Sequence, residues 1–357
     1  MEKIDNFYKN KRILVTGATG FKGSWLCCWL LMMGAKVYGT GYSPNQNKNL
    51  FYKLNLQKKI KLGLFDIRDK KKLENFVIKS KPSIIFHLAA QPLIIESYLK
   101  PHKTIDVNVG GTLNILEATK NFNFVKSIVL ITSDKCYENV GKLTRYKEND
   151  ELGGVDPYSA SKSSSELIIR AYRESFFKDK RKCGVSSARA GNVIGGGDWS
   201  ANRLIPDGIR SLLNGKSIYL RNPKFNRPWQ HVLEPIRGYL ILAKRQFHDP
   251  KKYSDAWNFG TKNNSIKSVK EIVDYMILFW GSGKIRYNKK VKFYEQKNLQ
   301  LDIKKAKSKL NWYPTYSVKK GVQITTEWYR DVFKDKKDPF KVTKNQILGY
   351  MNENNWR

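Results

Sequence analysis

Three features of the sequence predict an α/β fold, a doubly wound parallel sheet of Rossmann type followed by a smaller, less regular C-terminal lobe. Short apolar runs alternate with helix-like stretches up to about residue 135. A glycine-rich turn joins the first run to the first helix. From about residue 197 the alternation gives way to turn-rich segments such as GGDW and RNPKFNRPWQ. Strands that alternate with helices build parallel β-α-β units, whose sheet is covered on both faces.

The elements follow in order. KRILVTG reads as a strand, FKGSWLCCWLLMMG as a helix, AKVYGTGY as a second strand and KLGLFDI as a third. KKLENFVIKS has helical periodicity, PSIIFHLAA is a strand, VNVGGTLNILEATKNF a helix and VKSIVLITS a strand. After Asp156-Pro157 a long helix is expected from Tyr158 to Phe177, then the strand CGVSSARA. Near the C-terminus DIKKAKSKLNWYP and VKKGVQITTEWYRDVF each supply a short helix. The division expected is a dinucleotide-binding domain over 1–196 and a mainly substrate-binding lobe over 197–357, some of whose segments return to the sheet.

Composition narrows the class. With 357 residues, 41% hydrophobic and 13% aromatic, the chain can bury a large core. The polar start MEKIDNFYKNKR does not look like a signal peptide, and no apolar stretch approaches the ~20 residues of a membrane span, so a cytoplasmic protein without a membrane partner is expected. The four cysteines, Cys27, Cys28, Cys136 and Cys183, lack metal-ligand spacing, so no metal is expected. A formal charge of +35 raises the question of nucleic acid. The excess is spread along the chain without a nucleic-acid-binding motif, which favours solvated faces and an anionic small substrate over a nucleic-acid partner.

ILVTGATGFKG places Gly17, Gly20 and Gly23 between first strand and first helix, where the backbone can approach a pyrophosphate and the helix N-terminus can hold it. The second strand ends in GTGYSP, with neither the acid that would bind a ribose 2′-hydroxyl nor an arginine for a 2′-phosphate, so NAD and NADP are not separated by these residues. Asp66 and Ile67 follow the third strand as adenine contacts or as an ordinary strand end. Tyr158 and Lys162 stand at i, i+4 on one helix face, where an ammonium can lower the phenol's pKa. Between these motifs, TSDKCY sets Ser133, Asp134 and Lys135 at the end of a buried strand.

Together TGATGFKG, HLAAQP, TSDKCY, YSASK and RAGNVIGGGDW resemble the extended short-chain dehydrogenase/reductase superfamily, the NAD-dependent epimerase/dehydratase family, from residue 12 to about residue 332. FKGSW, DPYSASK, RLIPD, RNP, RPWQHVLEP and WNFG are similar to its branch that dehydrates CDP-glucose. The resemblance implies NAD as cofactor and a CDP-sugar as substrate, oxidised at C4, dehydrated across C5 and C6, and reduced at C6. Tyr158, helped by Lys162 and Ser133, would take the 4-hydroxyl proton. Asp134 would be the acid at the 6-hydroxyl, and Lys135 either the base at C5 or a partner for a phosphate or for Asp134. Gly17, Thr19, Gly20, Phe21, Gly23, Asp66, Ile67, Leu88, Ala89 and Ala90 would surround the cofactor. Asn192, Arg203, Leu204, Ile205, Arg221, Arg227 and Asn258 would line the sugar-nucleotide pocket. His87 and His231 read as structural.

In EQKNLQLD, Lys297 and Asn298 replace a histidine and an aromatic of that branch, which leaves sugar and base specificity open. The alternatives are another nucleotide-sugar 4,6-dehydratase, a nucleotide-sugar 4-epimerase, which has no need of Asp134 and Lys135, and a NAD-sensing or nucleic-acid-associated protein on an inactive scaffold. Relatives pair through two helices per subunit, so a homodimer or homotetramer is expected through 104–120 and 158–177.

Overall fold

The computed structural model describes residues 6–42, 49–141, 144–178, 183–262, 266–287 and 299–356. Its centre is a seven-stranded sheet containing β1 (Arg12–Thr16), β2 (Lys36–Gly41), β3 (Lys61–Leu64), β4 (Ile84–His87), β5 (Ser127–Ile131), β6 (Gly184–Arg189) and β11 (Ala256–Asn258). The order is β3-β2-β1-β4-β5-β6-β11, and every pairing is parallel. Order reverses between β1 and β4, the crevice where a nucleotide binds in such sheets. Strands β1, β4 and β5 are buried on both faces, which is why they read as unbroken apolar runs.

Three two-stranded pairs complete the C-terminal part: β7 (Val193–Ile194) with β10 (Gln230–His231), β8 (Ile218–Leu220) with β13 (Ile285–Tyr287), and β9 (Asn226–Pro228) with β12 (Ile266–Ser268). Because β11 adds to the main sheet beside β6, the chain after residue 197 contributes directly to the parallel sheet.

Two helices differ from the expected continuous runs. The expected 104–120 helix consists of Pro101–Ile105, a widened turn at Asp106–Gly110, and Gly111–Glu117. At the widened turn the Asn108 carbonyl accepts from Thr112 Oγ1 at 2.7 Å and Ser165 Oγ at 3.0 Å, while its amide donates to Ser161 Oγ at 2.8 Å. The helix expected from Tyr158 runs Pro157–Tyr172 and ends in a second widened turn, Arg173–Phe177. Its start is fixed chemically: Asp156 caps the Ser159 N–H at 3.0 Å, and Pro157 occupies the first turn, where its missing N–H costs nothing.

The Pro339–Glu353 helix was not foreseen from the sequence. It packs on the Phe21–Met32 helix, with Trp29 5.8 Å from Tyr350 and 5.3 Å from Trp356, ring centre to ring centre. Buried Glu234 secures it, accepting from the Tyr350 hydroxyl at 2.7 Å and the Tyr316 N–H at 2.6 Å.

Candidate active site

The glycine loop is tight for a visible reason. Gly17 has φ +70°, and a Cβ there would lie 2.7 Å from the Ala89 nitrogen, so only glycine lets β1 turn against the Leu88-Ala89 end of β4. Gly20 donates back to the Gly17 carbonyl at 3.0 Å, and Gly23 lies directly against that same carbonyl. Thr19 is buried beside Gly41 at the end of β2, and half-buried Phe21 packs toward Gly195. Leu88, Ala89 and Ala90 are half-buried along the other wall. Asp66 reaches the end of β3, but Arg68 grips its carboxylate at 3.0 and 2.8 Å and holds it below the usual carboxylate range. Ile67 is buried against Gly111.

Beyond β5 the backbone makes a short turn, Asp134–Cys136, capped by Ser133, whose Oγ accepts from the Lys135 N–H at 3.2 Å. The same hydroxyl donates to Asp134 Oδ1 at 3.0 Å and acts to favour the ionised form of the neighbouring Tyr158 phenol. Tyr158, Ser133 and Asp134 are all buried, so phenol, hydroxyl and carboxylate share a site largely removed from water. Lys135 is half-buried.

The expected lowering of the Tyr158 pKa by Lys162 is not what the structure shows. Burial pushes the phenol up to about 12, and the compensating influences are the Ser133 hydrogen bond and Arg203. Lys162 shares the helix face, but its Nζ lies 6.0 Å from the Tyr158 ring centre. Burial draws the Lys162 ammonium down to about 8, with Glu166 one turn further along acting in the opposite direction.

Three residues absent from the sequence reading shape this environment. Lys22, on the first turn of the Phe21–Met32 helix, is drawn down to about 8 by burial and by the charges of Arg203 and Lys162, with Asp134 opposing. A cation at the start of the helix that follows the glycine loop was the available signal. Glu166 and Arg189 form a buried pair at 2.8 Å. Burial works against the Glu166 charge, but Arg189, Ser187 and Thr132 hold it below the usual range. Arg189 also donates to the Tyr137 hydroxyl at 2.6 Å. No local pattern announces a pair whose members lie on a helix and on β6.

The expected pocket residues divide. Arg203 caps the Leu204–Leu213 helix, reaching Asp198 at 3.2 Å; Leu204 is half-buried and Ile205 buried. Asn192 is half-buried, with its carbonyl accepting from the Gln230 N–H at 3.2 Å. Arg227 lies on β9 with its guanidinium 5.9 Å from the Phe225 ring, whereas Arg221 is exposed, 3.4 Å from Asn202. Asn258 departs from the expectation. It is fully buried, accepting from the Tyr137 hydroxyl at 2.8 Å and donating to the Tyr146 carbonyl at 2.9 Å, so it braces the loop behind Asp134. Lys297 and Asn298 lie outside the described residues.

His87 and His231 are buried, and burial lowers both to about 3, with Lys162 adding to the effect on His87. They are neutral imidazoles, and His87 Nδ1 pairs with Thr16 Oγ1 at 2.8 Å.

A crevice with a glycine cradle on one side and a tyrosine, lysine and carboxylate on the other defines a nucleotide-dependent enzyme of the short-chain dehydrogenase/reductase type. The family model described as GDP-mannose 4,6 dehydratase matches residues 14–325, and the chain belongs to that family. It is 42% identical over 351 residues to the CDP-glucose 4,6-dehydratase of Salmonella typhimurium, covering 97% of this chain and 98% of that one. The dTDP-glucose 4,6-dehydratase from Bacillus anthracis, solved in complex with NAD, superposes with a TM-score of 0.75 at 25% identity, over 92% of this chain and 100% of that one. A Thermotoga maritima UDP-glucose 4-epimerase shares the fold at TM-score 0.78 and 23% identity, over 90% and 99% of the two chains.

Proposed function

We propose that the protein is a CDP-glucose 4,6-dehydratase, converting CDP-glucose to CDP-4-dehydro-6-deoxyglucose and water. The observation that carries this reading is the buried series Tyr158, Ser133, Asp134, in a chain with the identity just described to a protein of that activity. An epimerase needs the first two of these; only dehydration needs the carboxyl group.

The residues fit NAD. Gly17 clears the approach to the end of β4, and among the described residues no hydrogen-bond partner meets the Lys162 ammonium, which leaves its donors for a cofactor ribose. Gly17, Thr19, Gly20, Phe21, Gly23 and the Leu88–Ala90 wall would hold the cofactor. When bound, NAD supplies a reversible hydride acceptor.

With its pKa near 12, Tyr158 is a phenol at neutral pH. Ser133 and Arg203 act against burial and favour its phenolate, the form that would take the 4-hydroxyl proton. Asp134, beside Ser133, would be the acid for the 6-hydroxyl in the later step. The 4-ketone acidifies the C5 proton, which Lys135 would remove as the C6–O bond breaks. Arg203, Arg227 and the half-buried Lys22 would face the diphosphate, guanidinium groups being suited to paired contacts with it. The sequence assignment of Asp66, Ile67, Asn192, Leu204 and Arg221 to cofactor and substrate is retained as part of this proposal.

A homodimer or homotetramer and a cytoplasmic setting, with the product entering deoxysugar and lipopolysaccharide synthesis, complete the proposal. Exposed Tyr98, Leu99, Ile105, Leu167 and Phe176 support pairing through the neighbouring helices. The four cysteines are unbridged, and no helix among the described residues is long and apolar enough to cross a membrane.

Incubation with CDP-, dTDP-, GDP- and UDP-glucose plus NAD, followed by mass spectrometry, tests the reading. Loss of one water from the CDP-sugar supports it. An isomer of unchanged mass would establish an epimerase instead.

A further inference from the structure

Beside Asp134 lies a small recess lined by Asp134, Gly191, Pro228, Gln230, Gly260, Thr261, Leu299 and Leu301. Its room is about that of one water or hydroxyl group. Gly191 forms one wall so closely that any Cβ there would overlap Asp134 Oδ2. Leu299 and Leu301 belong to a buried apolar cluster with Cys136, Tyr137 and Tyr146, so this side is fixed and dry.

Gln230 is 6% exposed. Its side-chain nitrogen donates to two backbone carbonyls, Phe259 at 2.9 Å and Gly191 at 3.3 Å. Two acceptors on that end settle which end of the amide is nitrogen. The oxygen, Oε1, is then a buried acceptor without a hydrogen-bond partner among the described residues. Leaving a buried acceptor unmet costs free energy, and in a side chain that lines a hydroxyl-sized recess such an atom indicates a missing donor.

We infer that this recess receives the hydroxyl that leaves C6, with Gln230 Oε1 accepting its hydrogen and Asp134 approaching its lone pair. The inference rests on the dehydratase reading and assigns Gln230 as a substrate-contacting, specificity-determining residue. A hydroxyl has one hydrogen; once Gln230 accepts it, the lone pairs turn toward the Asp134 carboxyl. In the elimination the C5–H bond breaks with its proton passing to the base, the C5–C6 double bond forms, and the C6–O bond breaks as oxygen takes the Asp134 proton. The resulting water has two hydrogens and two acceptors beside it, Oε1 and the Asp134 carboxylate.

The test compares CDP-glucose with its 6-deoxy analogue, which can be oxidised at C4 but has no hydroxyl to lose, on the NAD-loaded protein. In Gln230→Met, kcat/KM for CDP-glucose should fall about 3- to 10-fold, the loss of one hydrogen bond, while cofactor reduction by the 6-deoxy analogue changes less than about 2-fold. Equal losses on both substrates would mean that Gln230 only braces the loop, and no loss on either would remove it from the site; both overturn the inference. A second measurement uses the unaltered protein, in case Gln230→Met does not fold. The 6-O-methyl analogue has no hydrogen to donate and a group too large for the recess, so it should bind at least about 10-fold more weakly than the 6-deoxy analogue. Equal binding would overturn the inference. Failure of the unaltered protein to dehydrate CDP-glucose would instead overturn the dehydratase reading and this inference with it.

Discussion

Two buried carboxylates flank the end of β5, and their surroundings differ. Glu166 meets donors from Thr132, Ser187 and Arg189, a closed set that ties the Pro157–Tyr172 helix to β5 and β6. Asp134, equally buried, takes one hydrogen from Ser133 and borders the recess with its other face. A fully satisfied buried network stabilises one geometry, whereas a carboxyl group with an open side can exchange protons with something that enters. Burial does not distinguish the two acids; among the described residues, the number of donors already in place does.

The contrast can be broken first at the chemical end. Tyr158→Phe should lower turnover about 10²- to 10⁴-fold and abolish the reduced-nicotinamide fluorescence that substrate otherwise produces. Substantial residual turnover would move the oxidation base elsewhere. Asp134→Asn should slow water loss about 10²-fold while oxidation continues, so reduced nicotinamide accumulates on the protein. If none accumulates, Asp134 is not the acid of the later step. Lys135→Met should suppress exchange of the C5 proton with deuterated solvent, and unchanged exchange would leave Lys135 with a role in binding only.

At the structural end the ranking reverses. Glu166→Ala leaves Arg189 buried without its anion and should cost about 3–5 kcal/mol in denaturant unfolding, against less than about 1 kcal/mol for Asp134→Asn. Similar losses would erase the distinction between the two acids.

The smallest effect is on pH dependence. Activity that needs the Lys162 ammonium should decline as pH rises through about 8. Stability moves the other way. The folded-state value lies below the free value of 10.5, so between about 8 and 10.5 the unfolded chain binds more protons and this group's contribution to stability rises with pH. Alkaline loss of activity is therefore separable from unfolding. Glu166→Gln removes the charge that raises Lys162, and the alkaline limb of kcat/KM should shift to lower pH; an unmoved limb would assign it to another group.

The parallel sheet was legible because its strands are continuous apolar runs, and the glycine loop because Gly17 and Gly23 answer to backbone approach. The run Ser133, Asp134, Lys135 stood out because an acid and a base follow a buried apolar strand directly, and the structure buries the first two of the three. The Tyr158 and Lys162 spacing was read correctly as one helix face, but spacing carries no information about burial, which dominates the phenol. Asn258 shows the same limit: residue type announces hydrogen-bonding capacity, not which partners take it up. Gln230 and the Glu166–Arg189 pair were invisible because their partners are 29 and 23 residues away in sequence and meet only across strands.

The central claim, an internal oxidation that drives loss of the 6-hydroxyl, is tested most directly with CDP-glucose carrying deuterium at C4. The predicted product is lighter by one water and carries that deuterium at C6. A product that keeps its oxygen at C6, or a dehydrated product without deuterium at C6, would contradict it.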